Sequence, residues 1–292
     1  MFRALPVVGS VHDLGAQLTL QEILTEAIAD FDEHGYDSQE RLDYWEARIR
    51  EALADQMRNP ERLREQMKEQ LRAVFERLVN RGSILKDHNG VERFRLQNVA
   101  ARLHSELERR ILASAQLIKL NREEMINKTM RRFSGWASSV PKGGASDTDK
   151  RKLKEELSKP MASLPFVERR VLIDQGHKLN ASLSQVLAAD GGAIAAKWQS
   201  HFRQQNYNFR EDHKELDFSI SGNVYLMRDS WAVKNGLVKV GPEGWSDSIP
   251  QPAELPMCRC RWLWLYHLRQ LPERLLTAKG KEAVKQSKAR AA

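Results

Sequence analysis

The stretch LQNVAARLHSELERRILASAQLI, residues 96–118, indicates what kind of fold the chain adopts. Apolar residues recur in it at three- and four-residue steps, the spacing of one face of an α-helix. They are Leu96, Val99, Leu103, Leu107, Ile111, Ala115 and Ile118, and the positions between them are dense in Arg, Glu and Gln. So narrow a stripe is typical of a helix that packs on other helices, in the chain's own core or on a partner protein.

Similar stripes precede this stretch. A helix is predicted over residues 19–32, with Thr19 and Glu22 as a capping box and Gly35 as its end. Two more follow, over residues 38–58 and from Pro60 to about Leu78. We interpret residues 1–140 as a helical arm that docks on a partner. The candidate interface residues are Leu42, Trp45, Ile49, Leu53, Leu103 and Leu107.

The pattern changes toward the C-terminus. Residues 141–150 (PKGGASDTDK) predict a linker, and helical spacing then resumes over residues 164–202 with a break at Asp190-Gly191-Gly192. Short β-prone runs follow at residues 218–221, 223–227 and 237–240, so strands are expected only after Tyr207. The segment Trp262-Leu-Trp264-Leu-Tyr266 fits either a strand or a helix.

The predicted fold class is therefore α+β and predominantly α-helical. A long helical N-terminal arm would precede a small α+β C-terminal module with short antiparallel strands. The predicted division is an arm at 1–140, a linker at 141–150, a module at 151–266 and a basic tail at 267–292.

Composition excludes several classes of protein. With 41% hydrophobic and 29% charged residues among 292, the chain should fold. It contains no apolar run of about 18 residues and no signal-peptide pattern, so we expect a cytosolic protein without a membrane anchor. The two cysteines, Cys258 and Cys260, are too close in sequence for an unstrained mutual disulfide.

The net charge of +8 favours an anionic partner. Basic residues dominate the end of the chain, without aromatic residues among them, which predicts phosphate contact and no reading of base sequence. We therefore expect non-specific DNA contact at most. The candidate contact residues are Lys279, Lys281, Lys285, Lys288 and Arg290.

Aromatic, basic and sulfur-bearing residues are concentrated between Trp198 and Cys260, where we predict a structural cluster. Its members are Trp198, Arg210, His213, Cys258 and Cys260. A structural zinc site could use His213 and both cysteines, with His201 or His177 as fourth ligand. We favour the metal-free alternative, two buried thiols beside a hydrogen-bonded histidine, and thus no cofactor. For Arg210 we expect an ion pair with Asp212, Asp217 or Asp229.

Several catalytic signatures are absent from the sequence: a Gly-rich phosphate loop, a paired-His zinc helix and a nucleophile elbow. We therefore predict a binding protein and not an enzyme. One alternative is a hydrolase or transferase with His213 or Glu211 as general base. Another is a cytosolic DNA-binding regulator, although no short helix-turn-helix pattern stands out.

Four motifs occur in a characteristic order. They are Ala195-Ala196-Lys197-Trp198, Tyr207-Asn-Phe-Arg210-Glu-Asp-His213, Asp229-Ser-Trp231-Ala and Pro252-Ala-Glu-Leu-Pro-Met-Cys258-Arg-Cys260. In this order they resemble the C-terminal domain of phage minor head proteins, the Mu F-like head-morphogenesis family. The resemblance covers about Leu164 to Trp264. The chain departs from the family pattern at Met257, where a polar residue such as Asn is usual, and at Asp217-Phe218, where a Gly is usual.

This resemblance implies a minor structural protein of a bacteriophage head, present in few copies. Such a protein is made in the host cytoplasm and enters the virion near the portal vertex. The implied partners are the portal protein and other head proteins, and possible roles are assembly and accompanying the packaged DNA. Arg210 could then contact DNA or the portal, and the enzyme alternative would be one delivered with the phage genome.

Overall fold

A computed structural model of the chain describes residues 18–57, 60–140, 142–143 and 147–291. The helices are α1 (Leu20–His34), α2 (Gln39–Gln56), α3 (Pro60–Phe75), α4 (Arg93–Asn98), α5 (Ala100–Ala137), α6 (Asp147–Gly191), α7 (Glu211–Glu215), α8 (Phe218–Ser221), α9 (Trp231–Lys234) and α10 (Ala278–Ala291). The strands are β1 (His88–Asn89), β2 (Ala195–Gln199), β3 (Tyr225–Leu226) and β4 (Arg261–Leu265). The predicted α+β class with a helical majority is confirmed.

The chain forms two compact units, each built from two separate segments. The first unit comprises Met1–Asn59 and Arg122–Leu164, and the second comprises Pro60–Asn121 and Pro165–Ala292. The division predicted from sequence was contiguous, with a linker at 141–150. The observed units are discontinuous because α5 and α6 each contribute residues to both, and α6 begins at Asp147 inside the predicted linker.

The first unit has an apolar core formed by α1, α2 and the parts of α5 and α6 that belong to it. Helix α1 begins with the predicted capping box, in which the Thr19 N–H donates to Glu22 Oε2 at 2.7 Å. It ends at Gly35, whose φ of 69° suits a residue without a side chain. Phe31 packs edge-on against Phe133 with ring centroids 5.8 Å apart.

The second unit contains a sheet of strand order β1-β4-β2-β3. Strand β4 pairs in parallel with β1 and antiparallel with β2, and β2 pairs antiparallel with β3. One core packs α5 and α6 leucines against the tryptophans of β2 and β4. A second core contains Ile194, Leu226 and Leu275. The sheet and both cores position the site described below.

The secondary structure corrects several predictions. Strands are not confined to the region after Tyr207, since β1 and β2 precede it. Residues 195–199, predicted as helix, form β2 because they pair along their whole length with β4. The β-prone run at 218–221 is helix α8, and the run at 237–240 contributes only a bridge from Val238 to Leu276. The segment 262–266, left open above, is largely strand β4.

The predicted basic tail is not a separate extension from residue 267 onward. Leu271, Leu275 and Leu276 are buried in the second unit's core, because they pack with residues such as Ile194 and Leu226. Helix α10 follows and places Ala283 and Val284 against the same core. The apolar residues of this segment therefore anchor it, although basic side chains dominate its sequence.

Candidate functional site

His213, Cys258 and Cys260 lie together in the second unit, as the sequence analysis grouped them. The Sγ atoms of Cys258 and Cys260 lie 3.4 Å and 3.5 Å from His213 Nδ1. All three side chains are buried. Helix α7 supplies His213, and the two cysteines lie in the irregular segment that leads into β4. The arrangement closes a small core whose residues are far apart in sequence.

The two thiols differ in acidity. A hydrogen bond between them lowers the pKa of Cys258 to about 5, against the opposing effect of burial, and nearby His213 contributes to the lowering. The same hydrogen bond, together with burial, raises the pKa of Cys260. Cys260 therefore holds its proton more firmly than Cys258 does.

These three residues could hold a metal ion. Their ligand atoms all lie within 4.8 Å of one another. Tetrahedral Zn²⁺, with bonds of about 2.3 Å to sulfur and 2.0 Å to nitrogen, separates the two kinds of ligand atom by roughly 3.5 Å. The observed separations of 3.4 Å and 3.5 Å fit that value. His177 and His201, considered above as a fourth ligand, line a separate cleft and are not in this group.

Trp198 forms one wall of the cluster. Its ring lies edge-on to that of His213 at 5.3 Å and edge-on to that of Trp262 at 5.2 Å. Within the described residues, Trp198 Nε1 and His213 Nε2 are both buried without a hydrogen-bond partner. The nearest carboxylate to that histidine nitrogen, Asp212 Oδ2, is 4.0 Å away. The indoles therefore shield the histidine from solvent and leave one of its nitrogens unpaired.

The segment that carries the cysteines is fixed by hydrogen bonds to its backbone. The N–H of Met257 donates to Asp174 Oδ1 at 2.6 Å, and its carbonyl accepts from the Tyr207 hydroxyl at 3.4 Å. Met257 has a φ of 60°, in the left-handed region that Asn and Gly tolerate better.

Arg210 does not form the ion pair predicted for it. Its guanidinium donates to the carbonyl of Pro256 at 2.9 Å, so it supports the cysteine segment through the backbone. Asp217, one of the expected partners, instead caps α8 and accepts from the N–H of Ser200 at 2.6 Å. Burial acts to raise the pKa of Asp217, but hydrogen bonds from Ser219 and Ser200 outweigh it, so the pKa is lowered.

The candidate interface residues are buried within the chain. Four of them lie in the core of the first unit: Leu42, Trp45, Ile49 and Leu53. Leu103 and Leu107 lie in the core of the second unit. Trp45 also donates its Nε1–H to Asp30 Oδ2 at 2.7 Å. These stripes are narrow because each covers one side of a helix inside its own unit, so in this conformation they do not face a partner.

The candidate DNA-contact lysines lie on α10. Lys279 Nζ donates to the carbonyl of Asn235 at 3.0 Å, and Lys281 Nζ lies 3.6 Å from Glu273 Oε2. Lys285 and Lys288 are exposed. The side chain of Arg290 lies outside the described part of the structure. The exposed lysines are thus held on a helix.

A cationic cleft of about 860 Å³ in the second unit was not predicted from sequence. Five basic side chains line it: Arg77, Lys86, Arg169, Arg259 and Arg261. They come from segments far apart in the chain, so no local run of charge marks them. Only the tertiary structure brings them together.

Comparison with protein-family models, with curated proteins and with solved structures gave no match to this chain. A search of the described helices for length and apolarity sufficient to cross a bilayer found none.

Proposed function

We propose that this chain is a minor structural protein of a bacteriophage head. The observation that supports the proposal concerns the motif residues on which the resemblance to the Mu F-like family rests. Trp198, His213, Cys258 and Cys260 are distributed along the second half of the chain, yet they form one buried cluster. A motif whose members pack together in this way acts as the staple of a folded module.

The proposed partners are the portal protein and other head proteins, with the chain near the portal vertex after assembly in the host cytoplasm. The buried stripes exclude Trp45 and its neighbours as direct contacts in this conformation. Exposed apolar residues remain on α5, where Leu112 is 63% and Leu120 is 49% exposed. They are about two turns apart and so lie on similar sides of the helix. We assign the docking contact to these residues.

Mass spectrometry of purified phage particles tests the proposed location. Particles produced with this gene should contain the chain in low copy number, both in intact virions and in assembled heads. Its absence from particles purified away from host protein would refute the proposal.

The docking contact is tested by the double substitution Leu112→Ser with Leu120→Ser. Incorporation into particles should fall, because apolar anchors tend to carry much of the binding energy of an interface. Helicity measured by circular dichroism should be unchanged, since both side chains are exposed. Val240→Ser, at a residue 46% exposed, is the matched control and should incorporate normally. Normal incorporation of the double variant would remove this contact from the proposal.

For the cluster we propose a metal-free structural role, since the described residues offer three ligands and a closed structural zinc site uses four. Replacing both cysteines by Ser should lower stability by about 1–3 kcal/mol, because hydroxyls fit the buried sulfur sites poorly. Thermal unfolding measures this effect, and Ser287→Ala, at an exposed position of α10, is the control. One zinc ion per purified chain, measured by elemental analysis, would overturn the metal-free role.

The geometry gives less support to the enzymatic alternative. His213, one candidate base, is 3% exposed and is covered by Trp198. Glu211, the other, is exposed and accepts from Lys214 Nζ at 3.0 Å on the surface of α7. A general base must reach the proton it removes. In this conformation His213 has no open path to a substrate, which favours the structural role.

A further inference from the structure

The cationic cleft has the size and shape of a ligand site. Its volume of about 860 Å³ falls within the range of about 300–1,000 Å³ typical of small-molecule pockets. One side is formed by α3 and the turns that follow it, and another by the part of α6 around Gly176. Residues that follow β2 and residues at the start of β4 complete it.

The charge of the cleft is strongly one-sided. Besides the five Arg and Lys side chains, His177 and His201 line it, and none of its described lining residues is Asp or Glu. The positive surroundings act on both histidines. Burial lowers the pKa of His177, and Arg259, His201 and Arg77 lower it further, although Asp174 opposes them. Such a concentration of positive charge favours an anion.

Three of the cations remain available to a ligand. Arg77, Lys86 and Arg169 are exposed, and none forms an ion pair with another described residue. Arg261, in contrast, is held by Gln199 at 2.7 Å and by Asp87 at 3.4 Å. Its role is therefore partly structural, whereas the three exposed cations can turn toward a bound anion.

Arg259 shows unmet hydrogen-bonding capacity at the same place. Its guanidinium stacks over the Tyr207 ring at 5.0 Å, and its Nε is buried without a partner among the described residues. Arginine binds phosphate oxygens with two parallel donors, which suits a site of this kind. The stacked guanidinium thus has an Nε–H that still lacks an acceptor.

The cleft also has an apolar side. Val74, Leu172 and Ile173 line it beside the cations. Phosphate groups next to apolar surface match the two halves of a nucleotide, since the sugar-phosphate carries the charge and the base offers a flat apolar face. The volume admits one or two nucleotides, and a single strand can place an unpaired base against the apolar side, so the chemistry points to a single strand.

We propose that this cleft binds single-stranded nucleic acid through its phosphates, with Arg77, Lys86, Arg169 and Arg259 as the contacts. This site is separate from the lysines of α10, and it does not depend on the proposed function in phage heads. It would recognise phosphate spacing and a base face, without reading sequence.

Binding of a fluorescently labelled 12-nucleotide thymidine strand to the full chain tests the proposal. The variant combines Arg77→Gln, Lys86→Gln and Arg169→Gln. The control variant combines Arg131→Gln, Arg151→Gln and Lys152→Gln in the first unit, so both lose two Arg and one Lys at exposed positions. Circular dichroism and thermal unfolding show whether each variant is folded.

The cleft variant should bind the strand at least about tenfold more weakly. The slope of log K against log salt should fall by about 2, because each lost phosphate contact on a single strand contributes about 0.7. The control variant should change affinity far less. Equal weakening by both variants would overturn the proposal, because it would show that only net charge matters.

Two competitors separate the strand from other anions. Polyglutamate of the same length should displace the strand poorly, and a 12-base-pair duplex should bind more weakly than the strand. Equal displacement by polyglutamate, or tighter binding of the duplex, would overturn the assignment. A mononucleotide that binds as tightly as the 12-nucleotide strand would also overturn it.

Discussion

His88 should make the stability of the second unit dependent on pH. It is 1% exposed, and its Nδ1 and Nε2 lie 2.6 Å from the Tyr266 hydroxyl and 3.0 Å from Ser184 Oγ. The same serine oxygen accepts from Trp264 Nε1 at 2.9 Å. This network joins β1, β4 and α6. Burial lowers the pKa of His88 from 6.5 to about 3.

The sign of the effect follows from proton binding. Below pH 6.5 the unfolded chain protonates His88, while the folded chain does not until about pH 3. The unfolded state therefore binds more protons across this interval, and acidification destabilises the fold. The slope approaches about 1.4 kcal/mol per pH unit only below pH 6.5, so the loss between pH 7.5 and 4.5 amounts to about 2.7 kcal/mol.

Urea unfolding followed by tryptophan fluorescence at pH 7.5 and 4.5 measures this loss. His88→Gln should be less stable than wild type at pH 7.5, because the network loses a partner, but the difference should shrink by about 2–3 kcal/mol at pH 4.5. Distant groups with shifted pKa values, such as His177, are present in both proteins and cancel in the comparison. His104→Gln, at an exposed histidine, is the control. Parallel pH profiles for wild type and His88→Gln would refute the reasoning.

Three further substitutions test the packing. Met257→Gly should raise the free energy of unfolding by up to about 1 kcal/mol, because glycine adopts the positive φ of 60° without steric strain. An unchanged or lower melting temperature would contradict this. Gly176→Ala should stabilise α6 by about 0.5–1 kcal/mol, because the added Cβ would lie at an ordinary 3.8 Å from Val74 Cγ2. Thermal unfolding measures this gain, and a lower melting temperature would mean that the helix is more crowded there. Trp45→Ala should cost about 3–5 kcal/mol and reduce helicity in circular dichroism, because it empties part of the first unit's core. A fully folded Trp45→Ala protein would show that this residue is not a core anchor.

Local signals predicted much of the helical structure. The Thr19 and Glu22 capping box and the stop at Gly35 appear as expected, because caps depend on residues within one turn of each other. The apolar spacing also selected the residues that α1, α2 and α5 bury. It did not reveal what covers them. The same stripe fits a partner protein and a neighbouring helix of the chain, and here the chain's own helices cover it.

The sheet required information that no local stretch contains. Residues 195–199 contain two alanines and read as helix, yet they become β2 because β4 offers a full set of backbone partners 60 or more residues later. Strand β1 is only His88–Asn89 and exists through its parallel pairing with Trp264 and Leu265. Propensity is a weak preference, and such long-range pairing overrides it.

By itself the sequence determined the helical majority, the cap and stop of α1, and the grouping of His213 with Cys258 and Cys260. Only the tertiary structure decided that the stripes are internal, that Arg210 supports a backbone carbonyl, and that basic residues from three distant segments share one cleft. The physical reason is the distance along the chain over which the deciding interactions act. Caps and helical faces depend on neighbours a few residues apart, whereas burial and charge convergence depend on which distant segments the folded chain brings into contact.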